Sequence, residues 1–411
     1  MSLGFAAWQK NLFAVTAASF IGFTGFTLVM PFLPLYFQEL GLHDVGEIAL
    51  WSGLSLGVTP ALTALLSPFW GRLADRYGRK IMVERSLFSF VVVMAAMAYV
   101  TKPWHVFGLR AVQGLFAGYG ALTLTMAADS APKDRMASAI GIVQTAQRLG
   151  PAIGPVIGGT VAQIVGLRHA FVVTALFYVV ALILVFVMYD ERSVHHELVA
   201  DGSAARVSFR NMLAFENFIL LMAVIFGLQF VDRSFGPVLP LFVAQLGTPD
   251  AQVPVIAGAL FSIAAGAGAV GHHVCGRLLN RFPARTVIAA STVFGAIGAL
   301  AYGGAWSIGL LLAGTPLFGL AIGVSTTAAY TAAGGVIPAS ARGAGFGLLT
   351  TASLVGLALS PIVSGFLGAT SIRSVFLVDI VILLVMSGVV SRVMISERAP
   401  ATLAPEPAED I

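Results

Sequence analysis

The chain has 411 residues, 58% of them hydrophobic and only 10% charged, whereas a soluble globular domain carries about 25% charged residues. Such a surface faces lipid, which excludes a soluble enzyme and leaves the net charge of +4 as a matter of membrane sidedness rather than of nucleic-acid binding. The single Cys275 excludes an intrachain disulfide and reads as a small buried hydrophobe.

Apolar stretches of roughly 20 residues, enough to cross a hydrocarbon core of ~30 Å as helix, recur along the whole chain. They cover 11–38, 48–70, 81–101, 104–127, 136–164 and 168–189, then 215–245, 254–275, 286–305, 308–333, 343–369 and 373–395. This predicts an all-α membrane protein of twelve transmembrane helices. The runs are long and apolar on all sides, unlike the short alternating strands of a membrane β-barrel. Forty-five glycines suit helices that approach closely without water to drive them together. The first span is too long for a signal h-region and lacks a small-residue cleavage site after it. One long polar connection, 190–214, divides the spans six and six and predicts a cytoplasmic linker between bundles over 1–189 and 215–396. His195 and His196 within it are adjacent, so their side chains diverge and make a poor metal chelate. The tail, 397–411, is rich in Pro, Ala and Glu and reads as disordered. Neither a metal nor a cofactor is expected.

The two halves read as copies. GRLADRYGRK at 71–80 is echoed by GRLLNRFPAR at 276–285, and MPFLPLYFQELG at 30–41 aligns with GPVLPLFVAQLG at 236–247. Pro132, Gly141, Gly150, Pro155 and Gly159 align with Pro338, Gly347, Gly356, Pro361 and Gly365, at an offset of 206. A repeat of this length exceeds solenoid periods and fits two bundles facing each other across an internal site, related by a pseudo-two-fold along the membrane normal. Lys and Arg near span ends resist translocation. Of the 23 such residues, Lys102, Arg168 and Arg373 fall on one side and Arg110, Arg148 and Arg233 within spans. All the others share the side of 71–80, which predicts cytoplasmic termini.

Three motifs carry more than topology. In 71–80, glycines at 71 and 78 permit a tight helix-to-helix turn, while Arg72, Arg76 and Arg79 surround Asp75 and favour its charged form. In span five, RLGPAIGPVIGG at 148–159 lines a helix face with small residues for close packing and bends at its prolines. In span four, Arg110 and Gln113 stand three apart and share a face. Together these motifs resemble the major facilitator superfamily over essentially the whole chain up to the tail. The 71–80 loop matches that superfamily's signature loop residue for residue. The run containing Gly150, Pro151, Gly154, Pro155, Gly158 and Gly159 is similar to the antiporter motif of its drug:proton exporters. LRAVQG at 109–114 is similar to the RxxQG pattern linked there to proton coupling. The resemblance implies that Gly71, Asp75, Arg76, Gly78 and Arg79 latch one of two access states, the alternative being a topological anchor. For the span-five motif the alternative is a bent packing helix with no bearing on transport direction. In the second copy Asn280 replaces the Asp, which weakens any latch there.

Ionisable residues inside a membrane are functional candidates by default. Asp232, about 17 residues into span seven, lies in a helix that lines the central cavity in the family. Burial and a neighbouring cation pull a carboxyl's hold on its proton in opposite directions, so Asp232 is a candidate proton carrier, partnered by Arg233, Arg148 or Arg110. The alternative is a structural ion pair near the outer mouth. Asp379 is expected to pair with Arg373 near the outer surface, and the adjacent His272 and His273 are assigned packing or a minor proton role. Candidate substrate contacts are Phe26, Met30, Gln113, Tyr119, Met126, Gln229, Phe230 and Tyr330, an apolar set with few polar anchors. No GxxxxGK[ST] loop is present, so an ion gradient supplies the energy. The expected protein is a monomeric bacterial inner-membrane antiporter exporting small lipophilic or cationic compounds for protons. The rivals are an exporter of one natural metabolite and a non-transporting sensor.

Overall fold

The computed structural model describes residues 6–132, 135–191, 215, 217–338 and 342–395. The predicted linker, apart from its first two residues and Phe215 beyond it, and the predicted tail fall outside these. The described first half runs α1 (Ala7–Leu28), α2 (Leu33–Glu39), α3 (Val45–Tyr77), α4 (Arg79–Met97), α5 (Pro103–Phe116), α6 (Tyr119–Ser130), α7 (Met136–Val165) and α8 (Leu167–Met188). The second runs α9 (Phe218–Arg233), α10 (Leu239–Gln245), α11 (Val253–Leu279), α12 (Ala284–Gly303), α13 (Ile308–Val336), α14 (Arg342–Thr370) and α15 (Ile372–Val393). No strand occurs among the described residues.

These helices form twelve spans, because three predicted spans are each two helices laid end to end. Span one breaks at 29–32 and span seven at 234–238. Each break precedes a short helix with a proline in its first turn, where the missing N–H costs nothing. Span four breaks at Ala117 and Gly118, the latter at φ 112°, a backbone angle that glycine adopts without strain. Its counterpart, α13, is continuous despite Pro316.

The duplication extends to individual hydrogen bonds. The Asn11 amide pairs both ways with the Asp190 backbone, and the Asn217 amide does the same with Ile395. Arg168 Nη1 donates to the carbonyls of Ala98 and Val100 at the end of α4. Arg373 donates to those of Gly303 and Ala305 at the end of α12. In both halves the guanidinium satisfies carbonyls that a helix terminus leaves without intrahelical partners. It also lies near an aromatic ring of the short helix, Tyr36 at 5.7 Å and Phe242 at 5.8 Å. Within the halves, α1 packs against α7 and α8, and α9 against α14 and α13.

The halves meet along two helix crossings, α3 with α14 and α7 with α11, and the crossings are equivalent. In one, Gly53 faces the carbonyl of Pro361, and Gly365 faces that of Ala49. In the other, Gly258 faces the carbonyl of Pro155, and Gly159 that of Pro254. Backbone rests on backbone at all four positions, which only residues without a side chain allow. All four lie toward the end opposite the Gly78 turn, so the structure is closed there. Toward the turn end the same helices separate: a side-chain carbon added at Gly71, Gly141, Gly276 or Gly347 would meet nothing within 4 Å.

Candidate functional site

The span-five run is held on two sides. Gly150, Gly154 and Gly158 recur every four residues and bring α7 onto Phe23, Thr24, Thr27 and Leu28 of α1. Pro155 and Gly159 turn the other face to α11, where the Val156 N–H donates to Ser262 Oγ at 3.1 Å. One stripe of the motif therefore builds the first half, and the other joins the two halves.

Below this crossing, polar groups from four helices converge. Arg148 Nη1 of α7 lies 3.1 Å from His272 Nε2 of α11. His272 Nδ1 lies 2.7 Å from Thr327 Oγ1 of α13. Asp232, in the last turn of α9, acts electrostatically on the same imidazole, and its own ion partner is Arg233, with Nε 3.2 Å from Oδ2. Arg148 is about 18 Å along α7 from the first residue of that helix, at 1.5 Å per residue. The site thus lies deep in the membrane and between the halves. Sequence reasoning placed Asp232, Arg233 and Arg148 here but gave His272 only a packing or minor role. The hint was a histidine in a span, where ionisable residues are rare, and its adjacency to His273 obscured it.

Arg110 lies elsewhere, sealed inside the first bundle at 2% exposure. Nη1 donates to Gln113 Oε1 at 2.9 Å. The Nε and Nη2 of Arg110 and the hydroxyls of Tyr119 and Tyr178 find no protein partner among the described residues. Gln113, Tyr119 and Met126 are buried with it, as is Phe230 in the second half. Phe26, Met30, Gln229 and Tyr330 remain half-buried. The eight expected substrate contacts therefore divide into four packed inside the bundles and four with accessible surface.

Asp379 corrects an expectation. It is fully buried and its Oδ2 accepts from Ser234 Oγ at 2.5 Å, whereas Arg373 spends its donors on the carbonyls that end α12. Residues 373 and 379 are six apart on one helix and so do not share a face, while the break in span seven presents Ser234 directly.

At the Gly78 turn, φ is 98° and the chain passes straight from α3 into α4. Glu191 Oε1 accepts from the N–H of Arg79 at 2.7 Å and of Lys80 at 3.4 Å, supplying the negative charge that a helix N-terminus favours. Arg79 pairs with Asp129 at the end of α6, and Lys80 Nζ donates to the carbonyls of Phe186 and Tyr189. The Arg76 guanidinium lies 5.3 Å from the Tyr77 ring. These partners all belong to the first half. The Asp75 side chain lies outside the described residues. Asp129 and Glu191 escaped sequence reasoning because they stand 50 and 112 residues from Arg79.

Among the described residues no group of three or more metal-ligating side chains occurs.

Comparison with known proteins agrees with this architecture. The model of the Major Facilitator Superfamily matches residues 15–302 and 221–411. The chain is 31% identical over 290 residues to a multi-drug resistance efflux pump PmrA homolog of Lactococcus lactis subsp. lactis, covering 70% of each chain. It is 31% identical over 277 residues to the multidrug resistance protein MdtG of Proteus mirabilis, covering 67% of this chain and 68% of that one. Among solved structures, a bacterial homolog of the human lysosomal transporter Spinster, inward-facing and occupied, superposes with a TM-score of 0.79 at 17% identity, covering 95% of this chain and 98% of that one. Sequence and architecture together make the chain a member of the Major Facilitator Superfamily, a multi-pass membrane transporter and not an enzyme.

Proposed function

We propose that the protein exports small lipophilic or cationic compounds across a bacterial inner membrane in exchange for protons, exposing one central site alternately to either side. The convergence of Arg148, Asp232, His272 and Thr327 between the halves carries the reading, because it sets titratable groups at the one place whose surroundings must change when the halves rock. The names of both sequence relatives, given for multidrug resistance, support the substrate class. The half-buried Phe26, Met30, Gln229 and Tyr330 supply adaptable apolar surface with few polar anchors, as a permissive small-molecule site requires.

With the basic Gly78 turn and both termini in the cytoplasm, by the positive-inside rule, the conformation described is the inward-facing one. In it Gly78 and Arg79 hold the turn within its own half, and Gly71, Asp75, Arg76, Gly78 and Arg79 form the latch that engages the other half when the inner side closes. The protein acts as a monomer, since the crossings that form the site lie within one chain. Proteoliposomes with an imposed pH gradient and a panel of lipophilic cations test the reading. Gradient-driven accumulation abolished by an uncoupler is expected, and accumulation indifferent to the gradient refutes it.

A further inference from the structure

The duplicated framework breaks its symmetry at the Arg148–His272 contact. In the equivalent crossing of α3 and α14, the positions that correspond to Arg148 and His272 hold Leu354 and Ser67, which cannot form such a bond.

The hydrogen bonds allow one protonation pattern. A guanidinium has donors only, so His272 Nε2 must accept from Arg148. The single ring hydrogen is then on Nδ1 and goes to Thr327 Oγ1, while the Thr327 hydroxyl donates to the Gly323 carbonyl at 3.1 Å. Every donor and acceptor in this relay is matched only when the imidazole is neutral and in its Nδ1–H tautomer.

We propose that His272 is the proton-exchanging group of the transport cycle, and that a proton bound at Nε2 and the bond from Arg148 exclude one another. Uptake of a proton from water forms an N–H bond at the lone pair Arg148 had used. Donor then faces donor and cation faces cation, so the link between α7 and α11 opens and the imidazolium turns to Asp232. Re-forming the link returns the proton to water on the open side. The conformation described is accordingly the proton-released one, as an exporter needs when it loads cargo from the cytoplasm. The inference rests on the proposed exchange of cargo for protons.

The other groups that could titrate or carry charge nearby are few. Arg148 is the only charged residue of α7, and α13 offers Tyr330 and no charge. From α9 come Asp232 and its partner Arg233, and α10 brings no titratable side chain. Of the helices packed on α11, α12 carries Arg285 at its start and Tyr302 near its end, and α11 itself adds His273, Cys275 and Arg277. Among these groups, all in described residues, only His272 is bonded across the two halves and to α13 at once.

The test uses full-length protein in proteoliposomes clamped at zero potential, with tetraphenylphosphonium as the probe. One proton exchanged per cation lets a gradient of one pH unit sustain about a tenfold concentration ratio. Wild type is expected to reach that ratio. His272→Gln, whose amide can both accept and donate but does not titrate, is expected to stay near unity while retaining measurable probe exchange without a gradient. A His272→Gln protein that accumulates probe as wild type does overturns this inference alone, and a wild type indifferent to the gradient overturns the proposed function with it. Should the variant fail to insert, 15N-histidine NMR of the wild type decides. An Nδ1–H tautomer signal that Thr327→Val shifts and mild acid reversibly removes is expected, and its absence overturns the inference.

Discussion

Gly159 and Gly158 are neighbours in α7 that separate the interface between the halves from packing within one half. A side-chain carbon added at Gly159 would sit 2.7 Å from the Pro254 carbonyl carbon of α11 and 3.0 Å from the Val255 Cα. One added at Gly158 would sit 2.7 Å from the Leu28 carbonyl carbon of α1. Ordinary contact begins near 3.4 Å and the carbonyl oxygens of Pro254 and Leu28 lie nearer still than their carbons, so either alanine must open its crossing by more than about 0.7 Å, and no side chain can rotate to relieve backbone against backbone. Overpacking of this kind costs about 1–3 kcal/mol. For Gly158→Ala the cost falls on every conformation in which α1 and α7 pack together, so it lowers stability without favouring either access state. For Gly159→Ala it falls on the conformation closed at the outer end, and at tenfold per 1.4 kcal/mol the outward-open population rises roughly 5- to 150-fold. Met30 reports this, because its methyl lies 3.4 Å from where a side chain on Gly236 of the other half would begin. In a Met30→Cys background, with the native Cys275 buried, labelling by an impermeant maleimide added outside is expected to speed up by that factor with Gly159→Ala and not with Gly158→Ala. Equal labelling of the two variants at matched expression refutes the assignment of this crossing as the outer seal.

Removing the Glu191 carboxylate, as in Glu191→Ala, is expected to cost about 1 kcal/mol of stability through loss of the cap on α4, measured by denaturant unfolding in detergent. Arg168→Gln and Arg373→Gln each lose two bonds from a charged donor to helix-terminal carbonyls, about 1–3 kcal/mol, and Arg168→Gln also loses an exposed ion pair with Glu39, worth about 0–1 kcal/mol more. A large inequality between them would contradict their equivalence. A double-mutant cycle of Asp379→Ala and Ser234→Ala should return a coupling of about 1–3 kcal/mol, while a cycle of Asp379→Ala and Arg373→Gln should return none.

The span pattern was legible because each helix must present about 20 apolar residues to lipid. The predicted ends 136–164 and 168–189 differ by a residue or so from α7 and α8. The breaks in spans one and seven were not read from the sequence, where the prolines at 31, 34, 237 and 240 served only to align the two halves, although a missing N–H beside each break is visible there. The break at Gly118 was not legible, because one glycine among 45 does not announce a left-handed backbone angle. At the site, sequence supplied Asp232, Arg233 and Arg148 through the scarcity of charge in the membrane. It could not supply the bond from Arg148 to His272, because that contact joins residues 124 apart in different halves, and no local period records it.

The symmetric and asymmetric parts of the molecule divide between support and chemistry. What repeats is framework: the Asn amides that clasp the end of each half, the arginines that cap α4 and α12, and the proline carbonyls set against glycine at both crossings. Close packing there tolerates no extra atom, so duplication keeps it on both sides of the pseudo-two-fold. The ionisable groups inside the spans, away from their ends, do not repeat. Arg110 corresponds to Thr315, Asp379 to Thr174, Asp232 to Phe26 and His272 to Ser67. A buried charge costs several kcal/mol unless its partners are in place, so such a group is retained where it contributes to function and is absent from the copy where it does not. By this reasoning, grafting the relay onto the other crossing, as Leu354→Arg with Ser67→His, should not create a second coupling site. The ring would lack the Thr327 acceptor and the Asp232 carboxylate, whose counterparts are Leu122 and Phe26. Export by the grafted protein should lose rate and gain no dependence on a second proton, and a steeper response to the pH gradient would show that the Arg–His pair alone is sufficient.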